Sequence, residues 1–250
     1  MRRSKGRKQQ GGPPRLGGKV ALITGASRGI GLAIARSFAA EGYELVITGR
    51  KLPPLEKAGR ELTRLGCRVL ARVCDVRDPE SVQSLAASVK KQFGRVDILI
   101  NNAGIAHPNL TLEKLSYTDW KAVIDTNLTG TFLVTRAILA LMPDGGTIVN
   151  NLSVAAKRVF PGWSGYSASK HGALGLTNTL REELRPRGIR VIALFPGATD
   201  THIWDKPWPD APRKNMMSAE TVAKALVDAL TLPIGSTVEE LTIAPTSGAL

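Results

Sequence analysis

The sequence predicts an α/β fold: a doubly wound, seven-stranded parallel sheet with helices on both faces, in a three-layer sandwich. Three observations lead there. Short continuous apolar runs alternate with helical stretches of a dozen residues or more, beginning with 19–24 and 29–41. The runs lack polar alternation, the mark of strands buried on both faces. Composition is ordinary for a globular chain, 43% hydrophobic and 22% charged over 250 residues. That length suits one domain with a large core.

Each element has a local reason. Residues 19–24 form an apolar run stopped by Gly25, a buried strand. Residues 29–41 place Ile30, Ala33, Ile34 and Phe38 at helical spacing. A strand at 43–48 precedes a helix at 54–65, which follows Pro53-Pro54, and a strand at 67–73. Asp78 caps, and Pro79 starts, a helix over 79–93. Strand 96–100 leads to a long helix over 117–142 closed by Pro143. Strand 146–152, helix 164–185, strand 189–195, helix 218–230 and strand 236–243 complete the series. Strands separated by helical crossovers pair in parallel. Between residues 198 and 217 the periodicity lapses, with Pro207, Pro209, Pro212, Trp204 and Trp208. An irregular segment of that length in a compact domain usually serves function.

Charge and cysteine content narrow the classes. The chain carries 34 basic and 21 acidic residues, +13 in all. Arg2, Arg3, Lys5, Arg7, Lys8 and Arg15 fall in the first 18 residues, which hold no acid and almost nothing apolar. That stretch reads as a disordered, solvated basic tail, with a nonspecific anion-binding arm as the alternative. It has no apolar core of a secretory signal. The body, 19–250, then forms one catalytic domain. Cys67 and Cys74 make neither a disulfide framework nor a metal site. Reduced thiols and a cytoplasmic location are expected, with no membrane span, no metal and no specific nucleic-acid partner.

The chemistry begins at Thr24-Gly25-Ala26-Ser27-Arg28-Gly29-Ile30-Gly31, between strand one and helix one. Gly25 permits the tight turn, Gly29 lets backbone approach a pyrophosphate, and Gly31 allows close packing. The helix N-terminus offers free N–H groups and a positive dipole end. The same residues satisfy Gly-x-Ser-x-Gly, which keeps a serine hydrolase using Ser27 as a rival. An acid at the end of strand two would select NAD through the ribose 2′-hydroxyl. Thr48-Gly49-Arg50-Lys51 stands there instead. Arg50, Lys51 and Arg28 would surround a 2′-phosphate, so NADP(H) is preferred over NAD(H).

Ser153 falls at the end of strand 146–152, and Tyr166 and Lys170 are one turn apart on the next helix. A free phenol titrates at about 10, and a neighbouring cation would lower it. Tyr166 would exchange a proton with a substrate oxygen that Ser153 positions.

With these residues in place the chain resembles the short-chain dehydrogenase/reductase family. The resemblance spans 19–250 and includes the glycine turn, Asp75-Val76, Asn101-Asn102-Ala103-Gly104, Asn127, Ser153, Tyr166, Lys170 and Pro196-Gly197-Ala198-Thr199-Asp200-Thr201. It implies a single-domain Rossmann fold with an Asn127–Ser153–Tyr166–Lys170 catalytic tetrad. It implies a cofactor cleft drawn from Gly25, Ser27, Arg28, Gly29, Ile30, Gly31, Arg50, Asp75, Val76, Asn101, Ala103, Gly104, Pro196, Gly197, Thr199 and Thr201, with Tyr166 and Lys170. Asp75 would contact adenine, Asn101 would support sheet and cofactor, and Asn127 would hold a relay water. Hydride transfer between nicotinamide and a carbonyl or secondary alcohol follows. The resemblance also implies a homodimer or homotetramer built on the two long helices. Residues 198–217 match the family's variable lid, where His202, Ile203, Trp204 and Trp208 would form a bulky, mostly apolar wall for a hydrophobic substrate, or the tryptophans pack the lid down or face a partner subunit. An alternative within the family is a 3-oxoacyl-thioester reductase served by an acyl carrier protein. Arg187 matches one docking position, but Leu133 stands at the other, with Arg136 one turn away.

Overall fold

The computed structural model describes residues 18–205, 207–233 and 235–248. Apart from Gly18, the basic tail expected over 1–18 lies outside the described residues. Seven parallel strands form one sheet in the order β3-β2-β1-β4-β5-β6-β7. They are β1 (Val20–Ile23), β2 (Glu44–Gly49), β3 (Val69–Val73), β4 (Ile98–Asn101), β5 (Thr147–Asn151), β6 (Arg190–Pro196) and β7 (Glu240–Ile243). The order reverses between β1 and β4. Crossovers leave that point in opposite directions, so a crevice opens beyond the carboxyl ends of these two strands.

Strand periodicity assigns the faces. Ile23, Ile47, Ile100 and Leu194 pack beneath α1 (Gly29–Ala40), α2 (Leu52–Arg64) and α7 (Ala219–Leu230). Leu22, Val46, Leu99 and Val191 point to the opposite face, under α3 (Pro79–Phe93), α5 (Gly130–Leu139) and α6 (Ser164–Leu184). Successive residues of one strand thus serve two cores, which is why the strands read as unbroken apolar runs. No helix among the described residues is long and apolar enough to cross a membrane.

Most sequence expectations hold within a residue or two. Asp78 caps α3 by accepting from the Glu80 N–H. Pro53 and Pro54 lie inside the first turn of α2 rather than before it. That turn's N–H groups have no helical acceptors, so proline costs nothing there. The helix expected over 117–142 is interrupted. α4 (Tyr117–Ile124) meets α5 through one π-helical turn, Asp125–Thr129. At this turn Gly130 presses on Val76, where an added Cβ would come within 2.6 Å of Cγ2. β7 is shorter than the expected 236–243 because it pairs only with Ala193–Pro196 of β6.

A polar ladder crosses the sheet at β4 and β5. Asn101 and Asn150 face one another in register. The Asn101 Nδ2 donates to Asn150 Oδ1 at 2.9 Å and to Thr135 Oγ1 at 2.8 Å. Asn150 Nδ2 donates to Thr177 Oγ1 at 2.8 Å. These bonds join α5, β4, β5 and α6. All four residues are buried, so each link stands in low dielectric and is costly to break. Asn150→Ala removes an acceptor and a donor at once. It should lower unfolding free energy by about 2–4 kcal/mol in urea titration with an unchanged m-value; a loss below 1 kcal/mol would show that the ladder is dispensable.

Candidate active site

The glycine turn is shaped by a residue far away in sequence. Asn102 Nδ2 donates to the carbonyls of Thr24 at 2.9 Å and Gly25 at 3.2 Å. Thr24 Oγ1 accepts from the N–H groups of Asn102 and Ala103, both at 2.9 Å. Gly25 has φ +65°, and an added Cβ would sit 2.9 Å from Ala103 Cα. Gly31 is required by the Asn102 amide, which occupies the space its Cβ would take. Asn102 Oδ1 accepts from Asn151 Nδ2 at 2.8 Å, and the Asn151 carbonyl accepts from Lys170 Nζ at 2.9 Å. One run of hydrogen bonds thus ties the ends of β1, β4 and β5 to the lysine of α6.

Around this run lies a cavity of about 570 Å³. Its wall contains Gly25, Ser27, Arg28, Gly29, Ile30 and Arg50 from the first two strand ends. Val76, Ala103 and Gly104 line it, as do Pro196, Gly197, Thr199 and Thr201. So do Ser153, Tyr166 and Lys170. Four expected residues do not. Gly31 lies beneath Asn102. Asn101 belongs to the sheet ladder, and its neighbour Asn102 faces the cavity in its place. Asn127 is set back behind Gly104. Asp75 is gripped by Arg77, whose Nη2 lies 2.6 Å from Oδ2 and whose Nε lies 2.9 Å from Oδ1. That grip holds the Asp75 carboxyl below its usual range and turns it away from the wall.

The Tyr166 phenol and the Ser153 hydroxyl are neighbours on the cavity wall. Lys170 Nζ lies 5.7 Å from the phenol ring centroid. The expected lowering of the phenol by this ammonium does not appear. Burial pushes Tyr166 up, against a smaller opposing effect of the Ser153 hydrogen bond. Burial also brings Lys170 down to about 8. Desolvation penalises both charged forms and outweighs their attraction across the ring. Asn127 is clamped to Ile105: Nδ2 donates to its carbonyl and Oδ1 accepts from its N–H, both at 2.9 Å. The amide also donates to Ser169 Oγ at 3.0 Å, which in turn donates to the Tyr166 carbonyl at 2.7 Å. Ser169, fully buried, is a positioning residue that the sequence reading missed. A Cβ on Gly104 would lie 3.4 Å from Asn127 Oδ1 and 3.7 Å from Lys170 Nζ. Only a glycine-sized gap therefore separates the two side chains.

The segment over 198–217 closes one side. Arg213 staples it, reaching Asp200 Oδ1 and the Thr201 carbonyl at 2.9 Å and Asp205 Oδ1 at 2.7 Å. His202, Ile203, Trp204 and Trp208 face the cavity. The first two alternatives for these tryptophans both hold for Trp204, which lines the cavity while its Nε1 donates to the Thr199 carbonyl at 2.9 Å. Trp163, overlooked in the sequence, joins them. Ser27 makes no hydrogen bond to a histidine among the described residues, which leaves the hydrolase rival without a base. Arg187 donates to Asp144 Oδ1 at 2.9 Å and to the Met142 carbonyl at 2.6 Å.

The chain matches the family model described as short chain dehydrogenase over residues 19–211. It is 41% identical over 190 residues to a 3-oxoacyl-[acyl-carrier-protein] reductase of Synechocystis sp., covering 74% of this chain and 76% of the relative. It is 37% identical over 238 residues to sulfoacetaldehyde reductase 2 of Chromohalobacter salexigens, covering 91% and 94%. Among solved structures, an alcohol dehydrogenase from the archaeon Thermococcus sibiricus, complexed with 5-hydroxy-NADP, superposes with a TM-score of 0.86 at 35% identity, covering 93% of this chain and 98% of that one. With the parallel sheet, the glycine turn and the Ser–Tyr–Lys cluster already in place, these likenesses lead to one conclusion: the chain belongs to the short-chain dehydrogenase/reductase family and is an oxidoreductase acting on CH–OH or carbonyl groups.

Proposed function

We propose that the protein is an NADP(H)-dependent reductase or dehydrogenase for a carbonyl/secondary-alcohol pair, with Ser153, Tyr166, Lys170 and Asn127 handling the proton. The observation carrying this reading is the pairing of the Ser153 and Tyr166 hydroxyls on the wall of a cavity floored by the glycine turn, with Lys170 one helical turn on. The cavity suits a dinucleotide. Gly25 and Gly29 have positive φ and bring backbone close where a side chain would intrude. The start of α1 offers unsatisfied N–H groups to a pyrophosphate. Arg28, Arg50 and Lys51 line the wall and form no ion pair among the described residues. No acid follows β2 to take a ribose 2′-hydroxyl. The NADP derivative bound by the Thermococcus sibiricus enzyme supports the same choice.

Bound nicotinamide would supply or accept the hydride. The chain's own residues do the rest. Tyr166, kept protonated at neutral pH by burial, gives its proton to a carbonyl oxygen as charge develops there. Ser153 hydrogen-bonds that oxygen and holds the phenol in line. Lys170, anchored on the Asn151 carbonyl, places a cation beside the phenolate that results. Asn127, across the gap at Gly104, would pass the replacement proton through a water. The likeness to the Synechocystis reductase favours 3-oxoacyl-thioester reduction as a second reading. Its carrier would need a docking cation, and Arg187 is already held by Asp144 and Met142. Self-association would use α4, α5 and α6, where Tyr117 and Phe132 are 77% and 44% exposed.

Three outcomes are expected. Tyr166→Phe should reduce kcat for carbonyl reduction by about 10²–10⁴-fold with little change in NADPH binding; full activity would overturn the proton assignment. Arg50→Ala should weaken NADPH binding about tenfold or more while leaving NADH binding within about twofold. A lower Kd for NADH than NADPH in the parent protein would refute the charge argument. The third concerns pH. Lys170 titrates at about 8 in the fold against an ordinary 10.5. Between those values the unfolded chain holds more protons, so stability from this group rises with pH there and is lost as pH falls through 8. The stability advantage of Lys170→Met over the parent should therefore shrink from pH 8 to pH 10, by up to about 1.4 kcal/mol per pH unit. A constant difference would place the lysine in water.

A further inference from the structure

Two features of the cavity are not used by the proton chemistry or by dinucleotide binding. The first is a continuous aromatic wall. The Trp163 ring meets Tyr166 edge-on at 5.9 Å and Trp204 at 6.1 Å and 81°; Trp204 meets Trp208 at 6.1 Å and 73°. Phe160 lines the same cavity. Trp204 is held in the wall by its bond to Thr199. It runs outward from the proposed proton donor. Rings prefer such walls at centroid separations of about 4.5–7 Å, stacked or edge-on, and gain beyond simple burial.

The second feature is charge. No Asp or Glu lines the cavity among the described residues, whereas Arg28, Arg50, Lys51, Arg158 and Lys170 do. Arg28, Arg50 and Lys51 follow β1 and β2, where the cofactor phosphates belong. Lys170 serves Tyr166. Arg158 remains. It lies on the connection from β5 to α6 that also carries Ser153, Phe160 and Trp163. Its guanidinium has no ion pair or hydrogen bond among the described residues. The adjacent Lys157, by contrast, is paired with Glu240 and sits 4.0 Å over the Phe195 ring. A guanidinium offers a planar fork suited to a carboxylate or sulfonate.

We propose that the substrate is an aromatic carbonyl compound carrying an anionic group, with its ring against Trp163 and Trp204 and its acid group on Arg158. This rests on the oxidoreductase reading above. The carbonyl carbon takes a hydride and its oxygen the Tyr166 proton, while NADPH is oxidised to NADP⁺. Trp163, Trp204 and Arg158 then determine specificity.

The test compares NADPH oxidation with 4-carboxybenzaldehyde, neutral 4-methylbenzaldehyde and aliphatic succinic semialdehyde. The parent protein should favour the first by about tenfold or more in kcat/KM over each of the others. Arg158→Gln should erase the preference for charge, chiefly through KM, and Trp163→Leu the preference for the ring. Arg64→Gln, an exposed arginine outside the cavity, should leave both ratios as they were. A separate arm follows quenching of tryptophan fluorescence by 4-(hydroxymethyl)benzoate, which reads binding without turnover. Turnover without either preference, or a charge preference that survives Arg158→Gln, overturns this inference and leaves the oxidoreductase reading intact. Saturable quenching lost in Arg158→Gln but with no carbonyl turned over supports the ligand class and overturns the proposed reaction. Neither turnover nor quenching overturns both.

Discussion

One side-chain amide holds the site together. Asn102 donates to the carbonyls of Thr24 and Gly25, accepts from Asn151, and through Asn151 reaches Lys170. The first strand ends in a turn whose carbonyls point away from any sheet partner. Left unpaired and part-buried, they would cost about 1–3 kcal/mol each. Asn102 satisfies both and so ties the turn after β1 to the end of β4. The glycine at position 31 follows from it, because any side chain there would displace the amide. The phosphate turn and the lysine of α6, nearly 150 residues apart in sequence, therefore share one rigid connection.

Electrostatics set the character of the cavity around that connection. Cations line it and carboxylates do not, among the described residues. The nearest acids are turned elsewhere: Asp75 to Arg77, and Asp200 and Asp205 to Arg213. The ion pairs at Arg213 are exposed and individually weak. Their effect is geometric, since they hold the lid so that Trp204 faces inward. Burial, not charge attraction, governs the two central titratable groups. It keeps the Tyr166 phenol protonated and makes Lys170 readier than usual to release its proton. A site that favours the protonated phenol is suited to reducing a carbonyl, where the first need is an acid.

Much of this was legible from local chemistry. Strand and helix positions follow from apolar periodicity, and the caps at Asp78 and Pro79 from helix-end hydrogen bonding. Gly25 and Gly29 announce a backbone conformation that other residues resist. Tyr166 and Lys170 gain meaning from their one-turn spacing only together with Ser153 and the glycine turn. What escaped was contact-dependent. Asn102 and Asn101 are identical neighbours, and only the pleat decides which faces the cavity. Ser169 looks like any helical serine until Asn127 lies beside it. Trp163 reads as a residue before a helix. Arg77 reads as a loop cation, with no local hint that it grips Asp75.

Residue order was enough to establish the layered α/β class, the phosphate turn, the absence of an acid after strand two, and the Ser–Tyr–Lys spacing. Each depends on the conformational limits of single residues or on repeats within one element. Contacts across the fold set the π-helical turn at Asn127, the division of labour between Asn101 and Asn102, the direction in which Tyr166 and Lys170 titrate, and the aromatic wall from Tyr166 to Trp208. These depend on groups brought together from distant parts of the chain. Burial and contact are sums over neighbours, and no local pattern carries that sum.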